Sequence, residues 1–575
     1  LRDDIMRLCC LLRRNGVDPR SRLENEATNN QSVENDIEKF GLYQIVIFAF
    51  IGITLMLTAA FSFSYMFTTS EVKYRCLVPE CEHAENTTFE PPWLNASAPT
   101  INGVISRCTR YVVRNDQLGT CTEASFTNVT RDCDSWIYDP DEYTILNEWD
   151  FTCDDNQWKL TLVGTIQNIG HIVGLIFTGY ISDRYGRRVV LTMATFLSGV
   201  SGLIHSFSVN YYMFLVFQFL NAFIAAGIYD AGFILGMEMM GAKNRVYGST
   251  IISSMYAIGE ILLGLFASWL RSWRMLLRVV YGPALLAIFL PLVIPESVRW
   301  LLSKDKHEEV NQIYHKMARM NGLQVTDEAI NTFKELSVIK TKTKSELVVS
   351  DERKPIVQVL HSSVVLIRLL VCSFCWLANA FIYYGMSLNS VSLAGDKYIN
   401  FVLIAVVEIP AYYISCILNN YIGRKPTLSS AFLLSGTFCF TSLFIPAGAW
   451  NYGFLLLYMA GKLSIAMAFS TVYLFTAELF PTTLRNSMLG ICDMMGRIGA
   501  SLSPQIPLLA RIMPSLPLIL FGSMSMIAGI LSLIFPETLG LKLPDTVREA
   551  EEIGKSNKTR KIPDLNTLPY HMNIR

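Results

Sequence analysis

The chain has 575 residues, of which 51% are hydrophobic and 17% are charged, and its mean hydropathy is +0.34. This composition excludes an ordinary soluble protein of the same size. The formal net charge is zero, which removes any bulk electrostatic argument for nucleic-acid binding.

Long uncharged segments predict helices that span a membrane. No charged residue occurs from Leu42 to Ser70 or from Val189 to Tyr229, and the second segment is long enough for two spans of about 20 residues. We predict twelve transmembrane helices, which begin near residues 42, 158, 189, 211, 247, 276, 364, 399, 426, 452, 487 and 516.

These helices divide the chain into five predicted parts. They are a cytosolic N-terminal segment (1–41), a first six-helix half (42–302), a cytosolic linker (303–363), a second six-helix half (364–540) and a cytosolic tail (541–575). Residues 68–157 form a predicted extracellular cap within the first half. Residues 68–158 hold 16 acidic and six basic residues, whereas the short loops after helices two, four, eight and ten are basic. The positive-inside rule therefore predicts that both termini are cytoplasmic.

The cysteines and glycosylation sequons of the cap are typical of an extracellular segment. Six cysteines predict three disulfides, for which 15 pairings are possible: Cys76, Cys81, Cys108, Cys121, Cys133 and Cys153. Three sequons predict N-glycosylation at Asn86, Asn95 and Asn128. We expect no cleavable signal peptide, because the first hydrophobic run is too long and follows 40 polar residues.

Three short patterns recur at almost the same offset along the chain. They are Gly186 and Gly423 (offset 237), Glu238-x6-Arg245 and Glu478-x6-Arg485 (offset 240), and Pro295-Glu296-Ser297 and Pro536-Glu537-Thr538 (offset 241). Two equivalent hydrophobic halves are typical of a transporter that rocks around a central site.

Several motifs carry a family resemblance. The loop Gly179-x-x-x-Asp183-Arg184-x-Gly186-Arg187-Arg188 resembles that of the major facilitator superfamily. Further runs are Glu148–Asp154, Pro295–Leu301, Tyr383-Tyr384-Gly385, Glu408-Ile409-Pro410, Ala477–Asn486 and Pro536–Pro544. Together they resemble solute carrier family 22, the organic cation, anion and zwitterion transporters, over residues 37–546. Sugar porters share the first loop but lack the cysteine-rich cap.

The resemblance implies an all-α membrane protein with the major facilitator fold, built from twelve transmembrane helices in two six-helix halves with a large disulfide-linked extracellular loop. It implies a polyspecific plasma-membrane transporter of small organic ions that works by alternating access without ATP. The chain accordingly contains no phosphate-binding Gly-x-x-x-x-Gly-Lys-Ser/Thr loop.

The resemblance also implies a network of charged residues that closes the cytoplasmic side. We assign to it Asp183, Arg184, Arg187, Arg188, Glu238, Arg245, Glu408, Arg424, Glu478 and Arg485. The alternative for the basic members is a positive-inside anchor without a gating role.

Charged residues within predicted helices are candidates for the substrate site, because burying a charge in a membrane is costly. Arg497 occupies a position that tends to be Asp in the family's cation carriers and Arg in its anion and carnitine-type carriers. A guanidinium pairs bidentately with a carboxylate, so Arg497 predicts a carboxylate on the substrate. A structural role is the alternative for Arg497. Lys462 is either a substrate contact or a structural or gating residue.

Acidic residues, whose charge is opposite to that of Arg497 and Lys462, complete the predicted site. Asp230 and Glu260 could each receive an ammonium group, pair with a basic residue or carry a coupled proton. An arginine on one side of the pore and a carboxylate on the other would suit a zwitterion.

Aromatic and amide side chains are the remaining candidates. Trp376, Tyr383 and Tyr384 have spacings of i, i+7 and i+8, so they share one helix face that could hold an ammonium group by cation–π attraction. Ordinary helix packing is the alternative. Asn168 matches a pore position of the family. The chain departs from the family at Gln218 and Ala222, where Arg and Gly are usual.

The sequence therefore favours a transporter of carboxylate-bearing zwitterions or anions, such as carnitine-like or β-amino-acid-like solutes. An organic cation transporter with a structural Arg497 is the alternative, and a non-transporting receptor or sensor is a hypothesis of another class. We expect no enzyme activity, no catalytic residues, no metal site and no cofactor, because no nucleophile–base arrangement is present and the cap cysteines fit disulfides better than zinc. The expected partners are a small organic ion and membrane lipid, with no nucleic acid, and sodium and proton both stay open as the coupling ion.

Overall fold

The computed structural model describes residues 41–82, 88–101, 104–114, 121–240, 245–322, 362–391, 393, 395–445, 451–481, 484–541, 544 and 547–553. The predicted N-terminal segment before Gly41, most of the linker and of the tail, Asn86 and the side chain of Arg245 lie outside the described residues.

Helices dominate the described chain. In chain order they are α1 (Leu42–Thr68), α2 (Leu94–Ser97), α3 (Ile145–Glu148), α4 (Cys153–Tyr185), α5 (Arg187–His205), α6 (Tyr211–Ala225), α7 (Ile228–Glu238), α8 (Arg245–Leu270), α9 (Trp273–Tyr281), α10 (Val298–Ser303), α11 (His307–Asn321), α12 (Ser363–Ser390), α13 (Lys397–Tyr421), α14 (Arg424–Ser442), α15 (Asn451–Leu479), α16 (Arg485–Leu502), α17 (Ile506–Ile512), α18 (Leu516–Ser532) and α19 (Val547–Glu552). The 3-10 helices are Glu123–Ser125, Pro283–Leu292 and Ser503–Gln505.

Each of the twelve residues near which a transmembrane helix is predicted to begin lies within an observed helix. Nine helical segments of the described chain are long and apolar enough to cross a membrane, and α18 is a shorter apolar helix. The other two, α14 and α16, are more polar. Helix α14 contains seven serines and threonines, and α16 contains Arg485, Asp493 and Arg497. The charged side chains of α16 indicate that this helix faces the protein interior or a water-filled cavity rather than lipid.

Two of the predicted spans are interrupted. The fourth is divided into α6 and α7 at Ala226 and Gly227. The sixth continues from α9 into the 3-10 helix that contains Pro283 and Pro291, because a proline ring removes a backbone donor and disfavours a continuous α-helix.

The two halves repeat the same packing. We define the first half as α1 and α4 to α9 with the following 3-10 helix, and the second half as α12 to α18. The contacts of α1 with α8, of α4 with α6 and of α5 with the 3-10 helix have counterparts between α12 and α16, α13 and α15, and α14 and α18. Across the halves, α8 packs on α13 and α4 packs on α16. The sequence repeat is therefore a repeat of structure.

The cap, residues 68–157, contains three two-stranded antiparallel sheets. The strands are β1 (Tyr74–Cys76), β2 (Thr100–Ile101), β3 (Val104–Ile105), β4 (Thr109–Val113), β5 (Phe126–Asp132) and β6 (Trp136–Tyr138), paired as β1–β6, β2–β3 and β4–β5. The three disulfides are Cys76–Cys133, Cys81–Cys121 and Cys108–Cys153. The structure thus selects one of the 15 possible pairings.

The cap has a small hydrophobic core of its own, formed by Val78, Trp93, Val113 and Phe126. A core of this size buries little apolar surface and stabilises the cap only weakly, so the three disulfides are needed to hold the fold of the cap. Two of the predicted glycosylation sites, Asn95 and Asn128, are exposed.

Candidate functional site

A cavity lined by side chains of both halves lies between them. Its walls come from both halves, and from four helices of the second. The lining residues are Thr58, Ser62, His171, Ala225, Ala226, Tyr229, Ser253, Tyr256, Trp376, Ala380, Tyr383, Tyr384, Tyr412, Phe469, Tyr473, Asp493, Gly496 and Arg497.

Arg497 reaches this cavity from α16 and has an acidic neighbour on the same helix. Arg497 Nε lies 3.7 Å from Oδ1 of Asp493, one helical turn earlier. This distance is longer than a hydrogen bond, so the pair is held by electrostatic attraction and leaves room for a stronger partner. Sequence analysis missed Asp493, although its i, i+4 spacing from Arg497 was visible.

Asp230 adds a second carboxylate to this group. It lies half-buried on α7, in the first half, and interacts electrostatically with both Asp493 and Arg497. Asp493 and Arg497 line the cavity, whereas Asp230 is not among the lining residues and acts on both through its charge.

The predicted aromatic residues of α12 all line the cavity. The ring of Trp376 stands edge-on to that of Tyr473, with centroids 4.3 Å apart, and Trp376 Nε1 donates to Thr476 Oγ1 at 2.9 Å. The ring of Tyr384 stacks on that of Phe63. Five further aromatic residues that the sequence did not suggest share the wall: Tyr229, Tyr256, Tyr412, Phe469 and Tyr473.

Three other predicted charges form a buried cluster beside the cavity. Glu260 is 1% exposed, and Glu408 and Lys462 are both 0% exposed. Lys462 Nζ lies 2.9 Å from Glu408 Oε1, 2.7 Å from Ser387 Oγ and 3.0 Å from the carbonyl oxygen of Tyr383. The contacts with Ser387 and Tyr383 are hydrogen bonds, whereas the contact with Glu408 Oε1 is an ion pair without hydrogen-bond geometry.

Glu408 thus lies deep within α13 rather than at a helix end with the other residues of the predicted closing network. Its Oε2 accepts from Tyr383 Oη at 2.6 Å and from Tyr412 Oη at 3.0 Å. Both tyrosines also line the cavity, so the cluster and the cavity share a wall.

Asn168 is not among the residues that line the cavity, and its Nδ2 donates to the carbonyl of Gly164 at 2.9 Å on its own helix. Its neighbour Gln167 makes the more informative contacts. Gln167 accepts from Gln218 Nε2 and donates to the carbonyl of Ser62 at 2.8 Å. Gln218 and Gln167 therefore form a neutral amide pair between α6 and α4.

An aromatic layer separates the cavity from the cap. Phe67 stacks on Tyr398 with centroids 5.6 Å apart and meets Phe401 edge-on at 5.1 Å, so α1 of the first half is sealed against α13 of the second. Above this layer, Lys397 forms an ion pair with Glu142 of the cap. The cavity is closed on the cap side by contacts between the halves.

At the opposite end, the repeated motifs make matching hydrogen bonds. Glu296 accepts from the backbone N–H of Arg187 at 2.9 Å and of Arg188 at 3.1 Å, at the first turn of α5. Glu537 accepts from the backbone N–H of Arg424 at 2.9 Å and of Lys425 at 3.1 Å, at the first turn of α14. Each carboxylate satisfies free helix donors and complements the positive end of the helix dipole.

Glycine makes both arrangements possible. A Cβ at Gly186 would lie 2.2 Å from Glu296 Oε2, and one at Gly423 would lie 2.5 Å from Glu537 Oε2. Both glycines also have positive φ, +106° and +117°.

The predicted network residues form several short-range contacts around these motifs. Arg187 pairs with Asp183 at 3.0 Å, and Arg424 pairs with Glu478 at 3.0 Å. Glu238 accepts from Ser297 Oγ, as Glu478 accepts from Thr538 Oγ1. The contacts of this network include Asp183–Arg187, Arg424–Glu478, Glu238–Ser297 and Arg184–Tyr180, and Arg188 is held through its backbone. Arg245 and Arg485 are the first residues of α8 and α16.

Sequence comparison identifies the family. Residues 47–549 match the Sugar (and other) transporter family. The organic cation/carnitine transporter 2 of Mus musculus is 33% identical over 524 residues, which cover 88% of this chain and 91% of that protein. This chain belongs to solute carrier family 22 of the major facilitator superfamily. Solute carrier family 22 member 6-B of Xenopus laevis is 29% identical over 555 residues, covering 94% and 99% of the two chains.

Solved structures agree with this membership at the level of the fold. The proton:xylose symporter XylE, bound to 6-bromo-6-deoxy-D-glucose, matches with a TM-score of 0.59 and 17% identity over 89% of this chain and 98% of that chain. A partially occluded inward-open structure of XylE from E. coli gives a TM-score of 0.57 at 16% identity, covering 85% and 98%. The predicted family and fold class are confirmed, and this member of solute carrier family 22 is a multi-pass membrane transporter, not an enzyme.

Proposed function

We propose that this protein is a polyspecific secondary transporter of small organic ions, with carboxylate-bearing zwitterions as its preferred substrates. The observation that supports this proposal is the pair of Arg497 and Asp493 at a cavity shared by both halves, with Asp230 interacting electrostatically with both residues. The guanidinium of Arg497 binds the substrate carboxylate, and the two aspartates with the aromatic wall receive its ammonium group.

The charges of the site favour a zwitterion over a simple anion. Arg497 already has Asp493 beside it, so an anion would gain the guanidinium but meet two carboxylates. A zwitterion satisfies both signs at once. The name of the mouse and human relatives, organic cation/carnitine transporter 2, is in keeping with such a substrate.

We assign the other predicted site residues according to their contacts. Trp376, Tyr383 and Tyr384 form the aromatic wall. Lys462 and Glu408 act as a structural pair beneath it, since the ammonium of Lys462 is fully buried, pairs with Glu408 and donates to Ser387 and Tyr383. Asn168, which bonds to its own helix, supports α4 rather than the substrate.

Transport proceeds by alternating access in this proposal. The aromatic layer of Phe67, Tyr398 and Phe401 closes the cap side, and the ion pairs Asp183–Arg187 and Arg424–Glu478 belong to the closing contacts of the opposite side. The protein lies in the plasma membrane with its cap outside, glycosylated at Asn95 and Asn128, and with cytoplasmic termini.

An organic cation transporter is the second candidate. It is favoured by the excess of one negative charge in the set of two aspartates and one arginine, and by the many aromatic rings around the cavity. In that case Asp493 neutralises Arg497, and Asp230 is the residue that binds the cation.

Uptake of three radiolabelled solutes of similar size, one zwitterion, one anion and one cation, tests the proposal in cells that express the chain. We expect the zwitterion to be taken up fastest and to compete with the other two. Preference for the cation supports the second candidate. Normal surface expression without saturable uptake of any of the three would contradict both.

A further inference from the structure

The buried cluster between Glu260 and Lys462 contains one more negative charge than positive charge. We propose that Glu260 binds a proton in the conformation that is closed on the cap side, and that this proton is carried together with the substrate. The inference deepens the proposed transport function and rests on it for the coupling, whereas the proton site itself can be tested without transport.

The first argument is a count of charges. Two carboxylates, Glu260 and Glu408, share the single ammonium of Lys462, and all three residues are at most 1% exposed. Lys462 forms its ion pair with Glu408 and donates to Ser387 and to the carbonyl oxygen of Tyr383, and among the described residues it forms no ion pair with Glu260. An unpaired buried charge is far more costly than a neutral, hydrogen-bonded carboxyl group, so Glu260 is the group that must take up a proton.

The second argument is a count of hydrogens. Tyr383 Oη lies 2.6 Å from Glu408 Oε2 and 3.1 Å from Glu260 Oε1, but a phenol has one hydrogen. The shorter contact takes that hydrogen, which leaves the phenol oxygen facing Glu260. If Glu260 is protonated, its own O–H donates to Tyr383, Tyr383 donates to Glu408, and every contact joins a donor to an acceptor.

Among the residues that the structure describes, the groups around Glu260 offer no positive charge other than Lys462. The titratable groups that interact with it are Glu408, Lys462, Tyr383, Tyr384, Tyr256 and Tyr412. The tyrosines can donate hydrogen bonds but cannot neutralise a carboxylate. Binding Na⁺ in place of a proton would set a second cation beside the ammonium of Lys462.

The position of Glu260 links the proton to the transport cycle. Glu260 belongs to α8 of the first half, whereas Tyr383 and Glu408 belong to α12 and α13 of the second. Gly264, one turn further toward the cap, is packed against Phe401 and Val402 of α13. Opening the cap side separates α8 from α13. This movement breaks the hydrogen bond between Glu260 and Tyr383 and exposes Glu260 to water.

The proton balance is simple. Water on the cap side supplies a proton to a carboxylate oxygen of Glu260, an O–H bond forms, and closure of the aromatic layer buries it. After the substrate has left, water enters the cavity that Tyr383 and Tyr412 line, and the O–H bond of Glu260 breaks as the proton passes to that water, which stabilises the ionised carboxylate. One proton therefore accompanies each transition of the loaded protein.

The proton site is tested on the full-length protein in detergent by infrared spectroscopy at neutral pH. We expect a carboxylic-acid carbonyl band in the wild type that is lost in Glu260→Gln and retained in Glu309→Gln, which changes an exposed carboxylate of α11. Identical spectra of the wild type and Glu260→Gln would mean that Glu260 is ionised, and would overturn the proposal.

Coupling is tested by uptake of the zwitterionic probe in proteoliposomes at a series of pH values on the cap side. In the wild type and in Glu309→Gln we expect initial uptake to fall by up to about tenfold per unit rise in pH, as one bound proton requires. In Glu260→Gln this dependence should vanish, together with substrate-driven acidification of the lumen. Uptake that depends on Na⁺ and not on pH overturns the coupling. Absence of all uptake, with the infrared band intact, contradicts the proposed substrate and leaves the proton site standing.

Discussion

Arg497 and Asp493 lie on successive turns of α16 and face the same cavity, with Arg497 Nε 3.7 Å from Asp493 Oδ1. A guanidinium with one loosely held partner is poised to exchange it for a better one, because bidentate pairing with a carboxylate is both shorter and stronger. We therefore propose Arg497 as the residue that binds the substrate carboxylate, and Asp493 as the partner that it exchanges for that carboxylate.

Replacing Arg497 with Gln removes the predicted anchor of the substrate carboxylate. Hydrogen bonds to charged groups contribute about 1.5–3 kcal/mol, so we expect the affinity for carboxylate substrates to fall about 10- to 100-fold. Arg497→Lys should retain only part of the affinity for carboxylate substrates, because an ammonium group cannot pair bidentately with a carboxylate. Concentration-dependent uptake and surface biotinylation measure both effects. Unchanged affinity in Arg497→Gln would refute the anchor.

Replacing Asp493 with Asn, and separately Asp230 with Asn, tests the ammonium end of the substrate. Zwitterion and cation uptake should fall in both variants, while anion uptake should be maintained or rise, because each change removes a negative charge near Arg497. The ratio of anion to cation uptake in the same cells is the measurement. An equal loss for all three substrates would assign the aspartates a structural role.

The buried pair of Lys462 and Glu408 predicts an asymmetric response to mutation. Lys462→Met leaves the buried carboxylate of Glu408 without its cation, and breaking a buried pair costs about 3–5 kcal/mol. Glu408→Gln should cost less, because Glu260 remains nearby to balance the ammonium. Thermal unfolding in detergent, followed by size-exclusion chromatography, compares the two. The reverse order would contradict the charge count, and the double variant should be more stable than Lys462→Met alone.

The two motif glycines should be far less tolerant than their neighbours. Gly186 and Gly423 have φ/ψ of 106°/158° and 117°/167°, a region nearly restricted to glycine, where another residue costs about 1–3 kcal/mol. An alanine would in addition collide with Glu296 or Glu537. We expect Gly186→Ala and Gly423→Ala to lower the melting temperature and the yield of folded protein.

Gly179 and Gly490 supply the matched controls for these substitutions. A Cβ at either position meets no heavy atom of the described residues within 4 Å, and both lie inside helices. Alanine has the higher helix propensity, so Gly179→Ala and Gly490→Ala should be neutral or slightly stabilising. If all four variants behaved alike, the contact between glycine and carboxylate would not explain the repeated motif.

The cap contains an ion pair whose contribution depends on pH. Burial alone would raise the pKa of Glu80, but the hydrogen bond and charge of Arg110, together with a backbone hydrogen bond and the charge of Arg131, outweigh burial and lower it. A carboxyl with a lowered pKa stabilises the fold at neutral pH, and this contribution is lost as the pH falls through that pKa. We expect Arg110→Met to reduce the melting temperature at neutral pH, and the difference from the wild type to shrink at acidic pH.

The control for Arg110→Met is Arg548→Met. Arg548 pairs with Glu552 across one turn of α19, and both side chains are mostly exposed, at 89% and 65%. Exposed pairs contribute little, so this variant should follow the wild type at every pH. A pH-independent loss in Arg110→Met would indicate lost packing rather than a lost ion pair.

Local patterns determined the class of protein and the positions of its helices. Uncharged apolar segments marked the spans because the membrane imposes length and hydropathy on each helix separately. The recurring Pro-Glu-Ser and Pro-Glu-Thr runs marked the two halves, since each motif caps a helix in its own half. Arg497 was visible as a charge within a span. Asp493, one turn away, could have been found by the same reasoning.

Only the tertiary structure decided which of these residues meet. The bond between Glu260 and Tyr383 joins positions 123 residues apart on opposite halves, and the pairing of Cys108 with Cys153 was one of many possible choices. Helix periodicity states which residues share a face, but not which helix that face meets. The partner of a buried charge depends on how two whole halves pack, and that packing is set by long-range contacts that no local sequence pattern contains.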